Sequence, residues 1–516
     1  MNHITAVRHC ARLAFAFVIG TLANAPSSQH VSAHESAARV VTASLRQGGT
    51  QCDVSPNGIA TGSYASIQAA INNPACTSIF LYNFPFTESI TISRNVSISG
   101  AAFTAGALQT LIYPSGPGPV ISVTRNVTVS LLKLQIVGNT GAGCTTAGGI
   151  VNYGNIKLEK IRVRDNSCPG GVGGVLNQPG AVMQGDFFEA WDNTGGGANG
   201  AGGMLNLGTV NISGTAFLRN AHVTTNGSGI GGGLHNRGVM SLTHSSIISN
   251  VASSGAGVAN TDGGQLWLLS NTIGANRAHR GAGFAHTGAG VYADGGTTRL
   301  WFNTIVSNTY LAAQNGAPED GAGATVWKQS GVVEANSNIL FRIPVAVGGA
   351  GNCQGGLTAT GVITSNVDSD GTCGVGAARV AIFDPSKPLA FNGGQIYVPQ
   401  YSIWPATNSP TLNTGDDALC DHPLMFGADQ LGAGRFSDGH CDAGAVEMPW
   451  GYAGSQPTAT PTGVATATPV TPTPAAPTAT PAVPTATSAA PTATATRLAT
   501  GQPAQRKMYL PITRNQ

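Results

Sequence analysis

The sequence predicts an all-β chain folded as a parallel β-helix solenoid, opened by a short capping helix and followed by a disordered stalk. Three observations carry this. Asparagines recur at Asn139, Asn166, Asn193, Asn220, Asn250, Asn276 and Asn308, 26 to 32 residues apart. Apolar residues keep fixed offsets before them. Three back stand Ile136, Val163, Ala190, Phe217, Ile247, Ile273 and Ile305; eight back stand Leu131, Leu158, Gly185, Ile212, Leu242, Leu268 and Leu300. Ten back, the first six read Val129, Ile156, Met183, Val210, Met240 and Leu266. Offsets differing by two are the strand period. Finally, 71 glycines and only 9% charged residues suit coils dense in turns. A period of that length built from strands and glycine turns is a solenoid signature.

The asparagines follow from stacking. Equivalent side chains of successive coils lie about 4.8 Å apart, so each amide can donate to one neighbour and accept from the other. Asparagine also tolerates the left-handed backbone that tight corners use. A second series, Asn152, Asn177, Asn206, Asn236 and Asn260, closes glycine-rich runs such as Gly-Gly-Leu-His-Asn. Five before the first series, Leu134, Ile161 and Phe188 give way to Thr215, Ser245, Asn271 and Asn303, so an internal polar ladder should replace an aliphatic one.

At the start, Arg8 and Arg12 precede an apolar run over 13–23, which reads as a secretory signal over 1–33. Neither that run nor any later one is long enough to span a membrane. Residues 34–126 form the cap and first coils. After a polar stretch to about Thr61, Ser66-Ile-Gln-Ala-Ala-Ile71 has helical spacing and suits a cap over the open apolar end. Strands follow at 79–82, 88–93 and 96–100. The helix, the Glu88-Ser-Ile-Thr-Ile strand and Gly100 resemble the start of the pectin-lyase-like β-helix superfamily. The resemblance implies a right-handed solenoid and no particular activity.

The regular coils span 127–343, with lengthened turns at 195–203 and 309–323. Irregular coils and a closing module occupy 344–450. Cys10 lies in the signal, and the remaining eight cysteines fall into the local pairs Cys52/Cys76, Cys144/Cys168, Cys353/Cys373 and Cys420/Cys441. Disulfides suit an exported chain, although sequence leaves their connectivity open. Zinc is the rival reading, but the close Cys/His spacings it favours are missing.

Ser409-Pro-Thr-Leu-Asn-Thr-Gly415, Asp429-Gln430 and Cys441-Asp-Ala-Gly-Ala-Val-Glu447 resemble the C-terminal module of choice-of-anchor Q surface proteins. Asn413, Leu431, Ala443 and Val446 depart from its pattern. The resemblance implies an exported, surface-associated bacterial protein and says nothing on catalysis; on physical grounds, Asp-Gly and Asn-Gly turns plus a disulfide should close the far end of the solenoid. Residues 451–505 are Pro/Thr/Ala-rich and read as an extended stalk. A basic-aromatic tail fills 506–516.

Net charge +2 gives no sign of nucleic-acid binding. Asn260-Thr-Asp-Gly263 copies one motif of polygalacturonase-type hydrolases, but the companion motifs are missing and Asn260 already belongs to the turn series. Arg277, His279 and Arg280 form a basic cluster with no acidic cluster beside it, which reads as a solvated turn. Arg162 with Glu189, and Asp192 with Arg219, share offsets and should pair on the outer surface. Trp267 and Trp301 should point outward on adjacent coils, where indoles stack on sugars. Asp262 and Asp294 should lie on adjacent coils near Arg237. Two carboxylates that close call for calcium, a shared proton or the arginine. No other cofactor is expected.

The leading expectation is a secreted or cell-surface, monomeric β-helix that binds carbohydrate or another cell-envelope surface without catalysis. The alternative is a polysaccharide lyase or glycoside hydrolase with a diverged site.

Overall fold

The computed structural model describes residues 50–448, less 57–62, 102–109, 140, 199, 225–227, 279–287, 311–324, 343–350, 361–364, 376, 393–399 and 437–438. The expected signal, stalk and tail fall outside the described residues, as do His279 and Arg280.

A regular coil crosses four faces: Met204–Asn206, Thr209–Ser213, Ala216–Leu218 and Ala221–His222 make one turn. The first face stacks in parallel from Ile90–Ile92 through Ile121–Val123, Ile150–Asn152 and onward to Cys353–Gln354. Counting that stack gives a parallel β-solenoid of about ten turns. The narrow fourth face is a separate six-stranded sheet.

The register is the one the offsets predict. Ile136, Val163, Ala190, Phe217, Ile247, Ile273 and Ile305 pair in one unbroken series, and all are fully buried. Burying such an aliphatic side chain contributes about 1.5–3 kcal/mol, and the stack repeats that gain once per coil. The Leu131-to-Leu300 and Val129-to-Leu266 series are paired likewise.

The asparagines stack as amides. Each Nδ2 donates to the Oδ1 of the next coil: Asn166 to Asn193, Asn193 to Asn220, Asn220 to Asn250, Asn250 to Asn276, and Asn276 to Asn308, at 2.9–3.0 Å. The second series is joined the same way from Asn152 to Asn260, and Thr298 then takes over as acceptor. The inner ladder runs Thr215, Ser245, Asn271, Asn303, Asn338 and Asn366. One expectation is corrected. The left-handed residue at this corner is the one before the asparagine: Asp165, Asp192, Arg219, Ser249, Ala275 and Ser307 have φ between 51° and 59°. Asparagine is therefore kept for its amide, not its backbone freedom.

The helix is Ile67–Asn72, capped by Ser66 Oγ and burying Ile67, Ala70 and Ile71. Both of its ends are tied to the first coils. The Ile67 and Gln68 amides donate to the Glu88 carboxylate at 2.9 and 3.1 Å. The Arg94 guanidinium donates to the carbonyls of Ala70, Ile71, Asn73 and Cys76. A strand that sequence reading missed, Thr50–Val54, precedes it and pairs with Cys76–Leu81.

All four local disulfides are formed: Cys52–Cys76, Cys144–Cys168, Cys353–Cys373 and Cys420–Cys441. No helix among the described residues is long and apolar enough to cross a membrane.

The closing module does not cap the far end. It runs back along the second and third faces of coils 244–341. Gln430 accepts from Thr272 Oγ1 at 2.5 Å and donates to the Ser245 carbonyl at 2.9 Å, 185 residues away. The Ala445 amide donates to Thr304 Oγ1, and the Gly444 amide to the Ser337 carbonyl.

Candidate functional site

The charged turn between the first and second faces holds Arg237, Asp262 and Asp294. The Asp262 amide donates to the Asp294 carbonyl at 3.2 Å, so the two do sit on adjacent coils. Their carboxylates nonetheless take different partners. Asp262 pairs with Arg237 at 2.6 Å and accepts from Thr261 Oγ1. Asp294 accepts from Tyr292 Oη at 3.2 Å and Ser330 Oγ at 2.9 Å. Of the compensations foreseen from sequence, the arginine is placed beside Asp262. Among the described residues no three His, Cys, Asp or Glu side chains converge as metal ligands.

Thr261 also bonds His235 Nε2 at 2.9 Å, and His235 Nδ1 faces the Gly200 carbonyl at 3.3 Å. Burial drives the His235 pKa down to about 4. His222, equally buried, bonds the Gly197 carbonyl through Nε2 at 2.8 Å. Two neutral imidazoles thus hold the lengthened 195–203 turn, a role that sequence reading did not foresee.

Trp267 and Trp301 leave the outer side of the second face as expected, but they are not a bare platform. Both are half-buried against Leu269, Phe302, Cys420, Met425 and Cys441. The His422 ring meets Trp301 edge-on at 5.5 Å, and the Arg299 guanidinium lies 5.2 Å from the Trp267 ring. The module that runs back over this flank covers them.

Both expected ion pairs form, with different surroundings. Asp192 and Arg219 are exposed, with bonds of 2.7 and 2.8 Å. Glu189 is buried while it pairs with Arg162 at 2.7 Å, so this is no surface pair. Burial raises the Glu189 pKa and the arginine opposes that shift. Arg277 lies on the fourth face, exposed.

Two arrangements escaped the sequence. On the first face Tyr292 pairs with Trp327 one coil on, and both are half-buried. In the module, fully buried Arg435 donates to Ser270 Oγ at 2.8 Å and to the Gly444 carbonyl at 3.0 Å, with Glu447 at 3.7 Å. Its guanidinium lies 4.4 Å from the Phe302 ring. Burial pushes the Asp429 carboxyl up, against the opposing charge of Arg435 and three backbone amides. No local spacing signals either arrangement.

Along the second face, Lys157, Gln184, Asn211, Ser241, Trp267 and Arg299 pair coil by coil in one straight row. Gln184 and Asn211 are exposed, and the other four are partly so. At about 4.8 Å per coil, the row offers amides, a hydroxyl and an indole edge on one flat strip.

No family model, no curated protein and no solved structure matches this chain.

Proposed function

We propose that this chain is an exported, monomeric cell-surface β-helix protein that binds an extended carbohydrate without catalysing its cleavage. The row from Lys157 to Arg299 carries the reading: it is in register and presents the exposed amides of Gln184 and Asn211 on adjacent coils. Side-chain amides both donate to and accept from sugar hydroxyls. Four disulfides suit an oxidising compartment outside the cytoplasm.

The resemblance to the pectin-lyase-like superfamily and to the choice-of-anchor Q module belongs to this proposal. Where that module's pattern has arginine, this chain has Leu431, and the buried Arg435 supplies a guanidinium four residues later. The stalk would hold the solenoid away from the surface that bears it.

A glycan array run beside reducing-sugar and unsaturated-product assays tests the reading. It expects binding to a polymeric glycan that Gln184→Ala and Asn211→Ala each weaken, with no product released. Binding that is indifferent to both substitutions refutes the site, and product release refutes the non-catalytic claim.

A further inference from the structure

Asp262 and Asp294 share a turn but differ in charge balance. Asp262 is neutralised by Arg237 at 2.6 Å. Asp294 receives only hydroxyls, from Tyr292 and Ser330, which orient a carboxylate without cancelling its charge. Among the described residues no base lies within ion-pair distance of Asp294; Lys328, on the next coil and in register with Ala293, makes no such pair.

That charge stands beside an aromatic pair. Tyr292 and Trp327 occupy equivalent positions on adjacent coils, about 4.8 Å apart along the axis, and both rings are partly open to solvent. Their polar edges are already engaged. Tyr292 Oη donates to Asp294, and Trp327 Nε1 donates to Gln329 Oε1 at 3.2 Å. Burial and the neighbouring carboxylate both raise the Tyr292 pKa, so the phenol stays protonated as that donor. What remains on offer is two ring faces and one uncompensated negative charge.

Aromatic faces attract cations through their quadrupole, most strongly when the cation is weakly hydrated, and a nearby carboxylate adds a Coulomb term. We propose that Tyr292, Trp327 and Asp294 form a binding site for an organic ammonium group, carried either on an amino sugar or on a choline-type headgroup. The site lies on the first face and stands independently of the row on the second. An N-acetylated sugar lacks the charge and should bind poorly. A bare calcium ion gains little from the rings and finds a single carboxylate.

Calorimetric titration of the full-length protein with glucosamine oligomers, their N-acetylated counterparts, choline and calcium chloride tests this. The expected result is salt-sensitive binding of glucosamine oligomers or choline, with the stronger of the two naming the source. Asp294→Asn and Trp327→Ala should each weaken it at least tenfold. Asp294→Asn keeps the shape and both hydroxyl contacts, and circular dichroism checks that each variant is folded. Equal binding of N-acetylated and free-amine oligomers would overturn the proposal. So would binding of calcium alone, no heat from either ammonium ligand, or wild-type affinity in the Asp294→Asn variant.

Discussion

Replacing Asn276 by alanine removes one rung from the middle of the longest amide ladder. Its Oδ1 accepts from the Asn250 amide at 2.9 Å and from Asn250 Nδ2 at 3.0 Å. Its Nδ2 donates to Asn308 Oδ1 and to the Ile247 carbonyl, both at 2.9 Å. Alanine cannot replace any of these. Asn250 Nδ2 keeps the Phe217 carbonyl, Asn308 Oδ1 keeps the Asn276 amide and the Ile247 carbonyl keeps its ladder bond to the next coil, so one group loses its partner outright: the Asn250 amide. A buried polar group left unsatisfied costs about 1–3 kcal/mol, which sets the expected loss. The neighbouring Ala275 provides the contrast. It holds φ 53°, a conformation that costs a side-chain-bearing residue about 1–2 kcal/mol. Ala275→Gly should relieve part of that strain and leave the ladder intact. Guanidinium denaturation followed by far-ultraviolet circular dichroism reads both. The midpoint should fall clearly for Asn276→Ala and hold or rise for Ala275→Gly. A loss below about 1 kcal/mol in the first variant would refute the argument that asparagine is kept for its amide.

Three further outcomes are expected. His235 has a folded pKa of about 4 against an ordinary 6.5, so its contribution to stability is complete above pH about 6.5 and is lost as pH falls toward 4. Thermal melts across that window should show a decline of up to about 3 kcal/mol that His235→Asn flattens; an unchanged slope would contradict the assignment. Arg435→Met leaves Asp429 and Glu447 without their guanidinium, a loss of about 3–5 kcal/mol. Limited proteolysis should then cut within 400–447 while the solenoid stays intact, and wild-type resistance would oppose this account of the module. Deleting 449–516 should leave the melting temperature unchanged and release the protein from cells; retention on cells would show that the anchor lies elsewhere.

The solenoid was legible because its constraint is local and repeated. Each coil places an apolar residue three before an amide, so the stack through Ile247 could be read with no knowledge of contacts. The same repetition made one cysteine pairing plausible, since one coil brings Cys144 beside Cys168, while the connectivity as a whole stayed open until the structure. What remained hidden depends on contacts across long separations or on broken periodicity. Gln430 meets Thr272 across 158 residues, and nothing around either position marks the other. That docking is also why Trp267 and Trp301 are covered rather than bare. Thr50–Val54 is short and mostly polar, and its pairing partner is a strand beyond the helix. Tyr292 and Trp327 fall in lengthened coils where the turn asparagine has been replaced by Ala293, so the offset rule no longer pointed to them. The left-handed corner was misplaced by one residue because serine, aspartate, arginine and alanine share no signature there.

Hydrogen exchange measured with and without the best-binding glycan tests most directly whether the second face is the binding surface. The account predicts added protection in the strands Val182–Trp191, Thr209–Ser213, Val239–Thr243 and Gln265–Leu269, which carry the row from Gln184 to Trp267. Protection confined to the other faces, with those four strands exchanging as in the free protein, would contradict it.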